Sequence, residues 1–312
     1  MSFWLHFTAL VCAALLIFSV TPEYGSAARL PLRGAARPCS ESGPSFWSLG
    51  VAVMTDKVTQ DPALMFWGTS HSYQAAYEKY LRKLRCLEGA SLLEIGLGCG
   101  MSYPEGHSIP LWLALLPRAT INVFEYDEKC ARAFFKNPAK VAKDGVPWPS
   151  VFDSEFARRA RLETGDQSNE ADLARAMAVF GPQDVIVDDG GHTIVQQITS
   201  LRVLFRFVKP GGVYILEDLV AHGGGEEDTL DYIFALQRAL VAGGAGAPPL
   251  DAARYPGAAA LLPLLESVDC FHELCVFTRR AAGASASELP APGDLGASYQ
   301  LAAASGRGRA EH

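Results

Sequence analysis

Two apolar runs that each break into glycine and acid constrain this chain more than any other feature. Ser91-Leu92-Leu93-Glu94-Ile95 enters Gly96-Leu97-Gly98-Cys99-Gly100, and Asp184-Val185-Ile186-Val187 enters Asp188-Asp189-Gly190-Gly191-His192. The first reads as a buried parallel strand running into a glycine turn. Such a turn tolerates positive φ and lets backbone come close to a nucleotide-like ligand. The second puts two carboxylates and an imidazole at the C-terminal end of another buried strand, the edge where open α/β sheets keep their ligands. A cofactor loop and an acid/base or metal site therefore face one crevice, which is the arrangement of an enzyme.

The rest of the pattern fits that sheet. Further strands are expected at 121–126, 162–165 and 213–216, with a closing pair at 267–271 and 275–279. Helices are expected at 69–84, 109–116, 128–136, 169–180, 194–207 and 228–240. This alternation is that of a doubly wound, mostly parallel α/β sheet. Tyr73, Tyr77, Tyr80, Leu81 and Leu84 recur at helical spacing and read as packing residues.

The glycine turn departs from the dinucleotide fingerprint, whose glycines open directly into a helix. Here they run into a loop broken by Pro104, and the helix starts only near Ser108. Glu94 before the glycines, and Glu125 and Asp127 at the end of the next strand, suit S-adenosylmethionine instead. The first supports the turn and the cationic methionine end, and the second pair offers acceptors to the ribose hydroxyls.

Five motifs occur in order: Glu94 to Gly100, Gly165-Asp166-Gln167, Asp188 to His192, Lys209-Pro210-Gly211-Gly212 and Leu216-Glu217-Asp218-Leu219. On these, residues 55–279 resemble the class I S-adenosylmethionine-dependent methyltransferases. More narrowly, they are similar to the metal-dependent sugar O-methyltransferases typified by the macrocin and mycinamicin enzymes. The chain has Gly191 where that family usually has Ser, and a longer cofactor loop. The resemblance implies a seven-stranded sheet with an antiparallel last strand. It also implies that Gly96, Gly98, Asp166, Gln167 and Asp188 bind the cofactor, with Asp166 at the adenine amine. Asp189 and Asp218 are implied ligands of Mg²⁺ or Mn²⁺, and His192 is the implied base. Glu105 is a candidate further ligand.

The chemistry favours that donor set. Methyl transfer to a hydroxyl is a displacement at the sulfonium methyl, so the enzyme mainly positions and deprotonates the acceptor. A sugar hydroxyl is too weak an acid for a base alone, and a divalent ion that coordinates it stabilises the developing alkoxide. Hard carboxylate oxygens suit Mg²⁺, and a histidine titrates near neutral pH. Other readings stay open: Asp189 as a helix cap, Glu217 in place of Asp218, and His71 and His107 as surface or loop histidines, His107 the nearer to the cofactor loop. The leading expectation is O-methylation of a sugar or glycan hydroxyl. A natural-product O-methyltransferase, an inactive cofactor-binding protein and a nicotinamide oxidoreductase are the alternatives.

Residues 3–20 are almost continuously apolar and lead to Tyr24-Gly25-Ser26-Ala27-Ala28. Residues 1–27 thus read as a signal peptide or a single membrane anchor, 28–54 as a stalk, 55–280 as the methyltransferase domain and 281–312 as a disordered tail. This organisation places the chain in the secretory pathway, in the Golgi or endoplasmic reticulum lumen or outside the cell. A net charge of -7 argues against a nucleic-acid partner. Arg158-Arg159-Ala160-Arg161 is the one basic cluster and reads as a solvated helix face. The seven cysteines form no Cys-x-x-Cys pair, which argues against structural zinc. Cys270 and Cys275 flank a hairpin turn where a disulfide could close, and Cys99 reads as packed in its loop.

Overall fold

The first two runs do form adjacent strands, β1 (Ser91–Ile95) and β4 (Gln183–Asp188), which pair in parallel with Leu92 opposite Val185 and Ile95 opposite Asp188. The structure, a computed structural model, describes residues 43–59, 70–101, 104–138, 151–219, 229–243 and 250–283. The apolar leader, most of the stalk and the tail beyond 283 lie outside the described residues. No helix among those described is long and apolar enough to cross a membrane.

The helices in chain order are α1 (Phe46–Val53), α2 (Gln74–Leu81), α3 (Ser108–Leu115), α4 (Glu128–Lys136), α5 (Val151–Arg159), α6 (Glu170–Phe180), α7 (Ile194–Leu204), α8 (Thr229–Ala242) and α9 (Ala258–Leu261). The remaining strands are β2 (Thr120–Glu125), β3 (Ala160–Thr164), β5 (Val208–Leu216), β6 (Leu265–Phe271) and β7 (Leu274–Arg279). They form one seven-stranded sheet in the order β3-β2-β1-β4-β5-β7-β6. Strands β1 to β5 are mutually parallel, and β7 is antiparallel to both β5 and β6. The expected architecture, with an antiparallel strand inserted by a terminal hairpin, is the one observed.

Helices cover both faces, so the central strands are buried end to end, which is why they read as unbroken apolar runs. One core lies between β1, β4 and β5 and helices α6, α7 and α8, and includes Leu93, Ile186, Leu201, Tyr214 and Leu236. Strands β1, β2 and β3 run outward on one side and β4 and β5 on the other, where the β6–β7 hairpin then adds β7 and β6. The chain reverses direction between them, and that switch point opens the crevice at the C-terminal ends of the strands.

Three of the departures from expectation bear on how the fold packs. The segment read as a stalk contains α1, whose Phe46 and Val53 are fully buried, with Phe46 stacked 4.5 Å from Tyr77. The fold therefore begins before residue 55. Strand β3 starts at Ala160, and Arg159 is not part of a solvated face. It is 5% exposed, and its guanidinium donates to the carbonyls of Leu113, Leu116 and Ala119, closing the C-terminal end of α3. Strand β5 starts earlier than read: Val208 pairs with Gln183, Lys209-Pro210-Gly211-Gly212 bulges from the ladder with Gly211 at φ 77°, and pairing resumes with Val213 opposite Val185.

The five cysteines among the described residues are oxidised. Cys270 and Cys275 are bridged across the β6–β7 turn, as the sequence allowed. Cys99 is not merely packed: it is bonded to Cys130 on α4, with Cα atoms 6.1 Å apart. Cys86 is also disulfide-bonded.

Candidate active site

The loops after β1, β2, β4 and β5 converge on one crevice of about 420 Å³. Gly96, Gly98, Glu125, Asp127, Gln167, Asp189, His192 and Asp218 all line it. Sequence separation is overcome by topology: parallel strands present all their C-terminal ends on one side.

At the cofactor side, Gly96 has φ 93°, and a Cβ there would fall 2.0 Å from the carbonyl oxygen of Asp189. Glu125 Oε2 accepts from the Leu97 amide at 2.7 Å and Oε1 from the Asp127 amide at 2.8 Å, so one carboxylate joins the glycine loop to the start of α4. Asp127 caps α4 by accepting from the Cys130 amide. Gln167 donates to Asp188 at 2.6 Å and accepts from the Gly191 amide at 2.9 Å, bridging the loops after β3 and β4.

Three expected cofactor residues do not line the crevice. Glu94 is fully buried, accepts from Ser108 at 2.6 Å and lies 3.9 Å from Lys57; burial pushes its carboxyl up to about 7. Asp188 accepts from Gln167, Ser200 and Tyr214 inside the core, and burial raises it to about 6. Both carboxylates therefore shape the walls. Asp166 folds back on its own turn, accepting from the Ser168 amide and hydroxyl. A turn aspartate and a ligand look alike in sequence. Glu105 also lies off the lining.

At the mouth, Asp189, His192 and Asp218 each offer one ligand atom within 4.8 Å of the others. His192 Nε2 lies 3.3 Å from Asp218 Oδ2 and 3.9 Å from Asp189 Oδ1. Asp189 does not cap α7, because Thr193 does so in a capping box with Gln196. Glu217 does not replace Asp218. It is 1% exposed, points inward to Lys57 and Tyr77, and burial drives its carboxyl well above the usual range. Asp218 instead faces the crevice with φ 52°, and His192 has φ 23°. Strained backbone of this kind gathers where surrounding structure fixes a functional side chain. Burial disfavours charge on Asp218, but the Tyr73 hydroxyl and the His192 and His71 imidazoles outweigh it and hold the carboxyl below its usual range.

An N-terminal wall completes the site, and the sequence reading missed it. Lys57, with its side chain 3% exposed, donates to Asp189 at 2.5 Å and to Glu217. Its neighbouring carboxylates raise its pKa well above normal despite the cost of burial. His71 is no surface histidine. Its Nδ1 is 3.0 Å from Glu273 and its Nε2 is 3.6 Å from Asp218. Tyr73 and Tyr77 do pack, yet their hydroxyls reach Asp218 and Glu217. His107 is buried in the inner wall, and burial lowers it to about 4. Asp56 and Lys57 stand well apart from His71 and Tyr73 in the chain, and no periodicity marks them as one wall.

Fold and crevice together define a class I methyltransferase architecture. No protein-family model matches the chain. Its relatives are sugar O-methyltransferases of the macrocin and mycinamicin type. Demethylmacrocin O-methyltransferase of Streptomyces fradiae is 29% identical over 185 residues, covering 58% of this chain and 38% of that protein. Mycinamicin VI 2''-O-methyltransferase of Micromonospora griseorubida is 28% identical over 185 residues, covering 58% and 37%. A rhamnosyl-tetracenomycin-C 2'-O-methyltransferase of Streptomyces olivaceus is 29% identical over 203 residues, covering 62% and 44%. The chain thus spans less than half the length of these curated relatives. Among solved structures, the MycE methyltransferase of the mycinamycin biosynthetic pathway, in complex with Mg and SAH, superposes with a TM-score of 0.57 at 22% identity, over 86% of this chain and 60% of that one.

Proposed function

We propose that this chain is an S-adenosylmethionine-dependent O-methyltransferase acting on a sugar hydroxyl with the help of a divalent metal ion. One observation carries the reading: Asp189, His192 and Asp218 converge at the mouth of a crevice whose inner end is a glycine loop faced by Glu125. Two carboxylates are donors that suit Mg²⁺ or Mn²⁺, Asp218 is held in its charged form, and the imidazole beside them is left to act as base. A divalent ion bound by Asp189 and Asp218 would supply Lewis acidity to the acceptor hydroxyl.

The chain's own residues do the rest. Glu125 and Asp127 would hold the ribose, with the Gly96 to Gly100 loop and Gln167 completing the cofactor pocket. His192 accepts the acceptor proton at Nε2. Lys57 fixes Asp189 and balances Glu217, and Tyr73 fixes Asp218.

The relatives' names favour a sugar carried by a small molecule over a protein-linked glycan as the acceptor. The intact donor set speaks against an inactive binding protein. A secretory location is part of the proposal, supported by the apolar leader and by disulfides at Cys86, Cys99–Cys130 and Cys270–Cys275. A C-terminal fluorescent fusion should co-localise with lumenal markers, and deleting residues 1–28 should release it to the cytosol.

Calorimetry with S-adenosylhomocysteine tests the core of the reading, followed by methyl transfer from S-adenosylmethionine to a glycoside panel with Mg²⁺ present. Binding and metal-dependent turnover are expected. Absence of cofactor binding overturns the assignment, and full activity in excess EDTA overturns the metal's part in it.

A further inference from the structure

The Cys99–Cys130 disulfide joins the two loops that wall the cofactor end of the crevice. Cys99 stands between Gly98 at φ 78° and Gly100 at φ 82°, and it lines the cavity. Cys130 lies in the first turn of α4, three residues after Asp127, which lines the opposite wall. Both cysteines are half-buried. The same two loops are tied at their buried base by Glu125, through the Leu97 and Asp127 amides. The bridge is the corresponding tie at the rim.

Between those ties the loop is intrinsically loose. Gly96, Gly98 and Gly100 all sit at positive φ, where glycine is permissive and where ordering it costs the most conformational entropy. Local backbone bonds from Met101 to Gly98 and from Gly106 to Leu97 shape the loop, but neither reaches the α4 wall. The disulfide does. We propose that Cys99 and Cys130 are a positioning pair for the cofactor: their bond holds the glycine loop at the distance from Asp127 that the bound nucleoside requires. The oxidised protein then binds the cofactor tightly and the reduced protein weakly, so full activity belongs to a compartment where the bond persists. The inference rests on the cofactor reading above.

Calorimetry with S-adenosylhomocysteine on the full chain tests it, before and after dithiothreitol and again after reoxidation. Each bridge reduced takes two electrons and two protons from one dithiothreitol, which closes to its own disulfide. Reduction also opens the other bridges, so Cys99→Ser/Cys130→Ser isolates this one and Cys270→Ser/Cys275→Ser is the control. The expected result is a Kd raised about tenfold to a hundredfold by reduction and by the Cys99/Cys130 pair, from the reordering of one or two freed loop residues. Reoxidation should restore the wild-type value, and the control pair should keep it. Cys99→Ala/Cys130→Val, which fills the space of the bridge, replaces the serine pair if that pair does not fold. A lowered melting temperature with unchanged Kd assigns the bond to stability alone and overturns the proposal, as does finding Cys99 and Cys130 as free thiols in the purified protein. Failure of the oxidised wild type to bind at all overturns the cofactor reading instead.

Discussion

Gly96→Ala probes the point where cofactor loop and metal cluster meet. A Cβ at Gly96 would lie 2.0 Å from the Asp189 carbonyl oxygen, 2.9 Å from its carbon and 3.2 Å from Gly190 Cα. All three are backbone atoms, and the Asp189 amide is itself bonded to the Ile95 carbonyl at 3.1 Å. No side chain can swing aside, so the ends of β1 and β4 must separate. Placing alanine in left-handed backbone costs about 1–2 kcal/mol, and overpacking adds about 1–3 kcal/mol. The sum, about 2–5 kcal/mol, is large against a typical stability of about 5–15 kcal/mol yet leaves a folded protein. Because Asp189 moves with the strand end, Mn²⁺ affinity should fall together with S-adenosylhomocysteine affinity. Gly100→Ala is the matched control: its φ is 82° and nothing lies within 4 Å of a Cβ, so only the conformational cost applies. Urea unfolding and calorimetry with each ligand measure the three quantities. If Gly96→Ala is no more destabilising than Gly100→Ala and keeps both affinities, the reasoning is refuted.

Asp189→Asn should abolish turnover and weaken Mn²⁺ binding while leaving S-adenosylhomocysteine affinity nearly unchanged; retained turnover counts against Asp189 as a ligand. His192→Ala should slow turnover by about 10²–10⁴-fold, the usual worth of a positioned base, and its residual rate should climb with pH as hydroxide substitutes; a flat profile removes His192 as the base. Lys57→Met leaves Asp189 and Glu217 without their shared cation, and should destabilise by about 3–5 kcal/mol in urea unfolding, less as pH falls, because burial raises the Glu217 carboxyl and makes it take up a proton readily. A neutral effect would mean that Lys57 is not needed to balance these carboxylates and would refute its role. Glu94 has a folded pKa of about 7, raised by burial from 4.5. The folded state therefore holds its proton more tightly, and the group's contribution to stability is present below 4.5 and lost as pH rises through about 7. Compared with Glu94→Gln, wild-type stability should decline across that window, and parallel pH curves for the two proteins would contradict it.

What the sequence determined by itself were the features encoded locally. Val185-Ile186-Val187 and Leu92-Leu93 are strands because a strand covered on both faces must be apolar throughout. Gly96, Gly98 and Gly100 mark a turn because their φ values are positive. Asp189, His192 and Asp218 could be placed together because parallel strands bring their C-terminal ends to one edge. Tertiary structure decided the rest. Neither Glu94 nor Asp188 reveals in sequence whether its carboxylate meets ligand or core, since the neighbouring strand and helix set that. Asp189 and Glu217 lie 132 and 160 residues from Lys57 in the chain, and no periodicity reports so distant a contact. His71 faces Asp218 with one ring nitrogen and Glu273 of the β6–β7 turn with the other, contacts between segments far apart in the chain. Seven cysteines permit many pairings, and Cys99 meets Cys130 where the Glu125 carboxylate also ties the glycine loop to the start of α4. Local pattern records what one segment needs of water and backbone geometry; which segments then meet is fixed only when the sheet order closes.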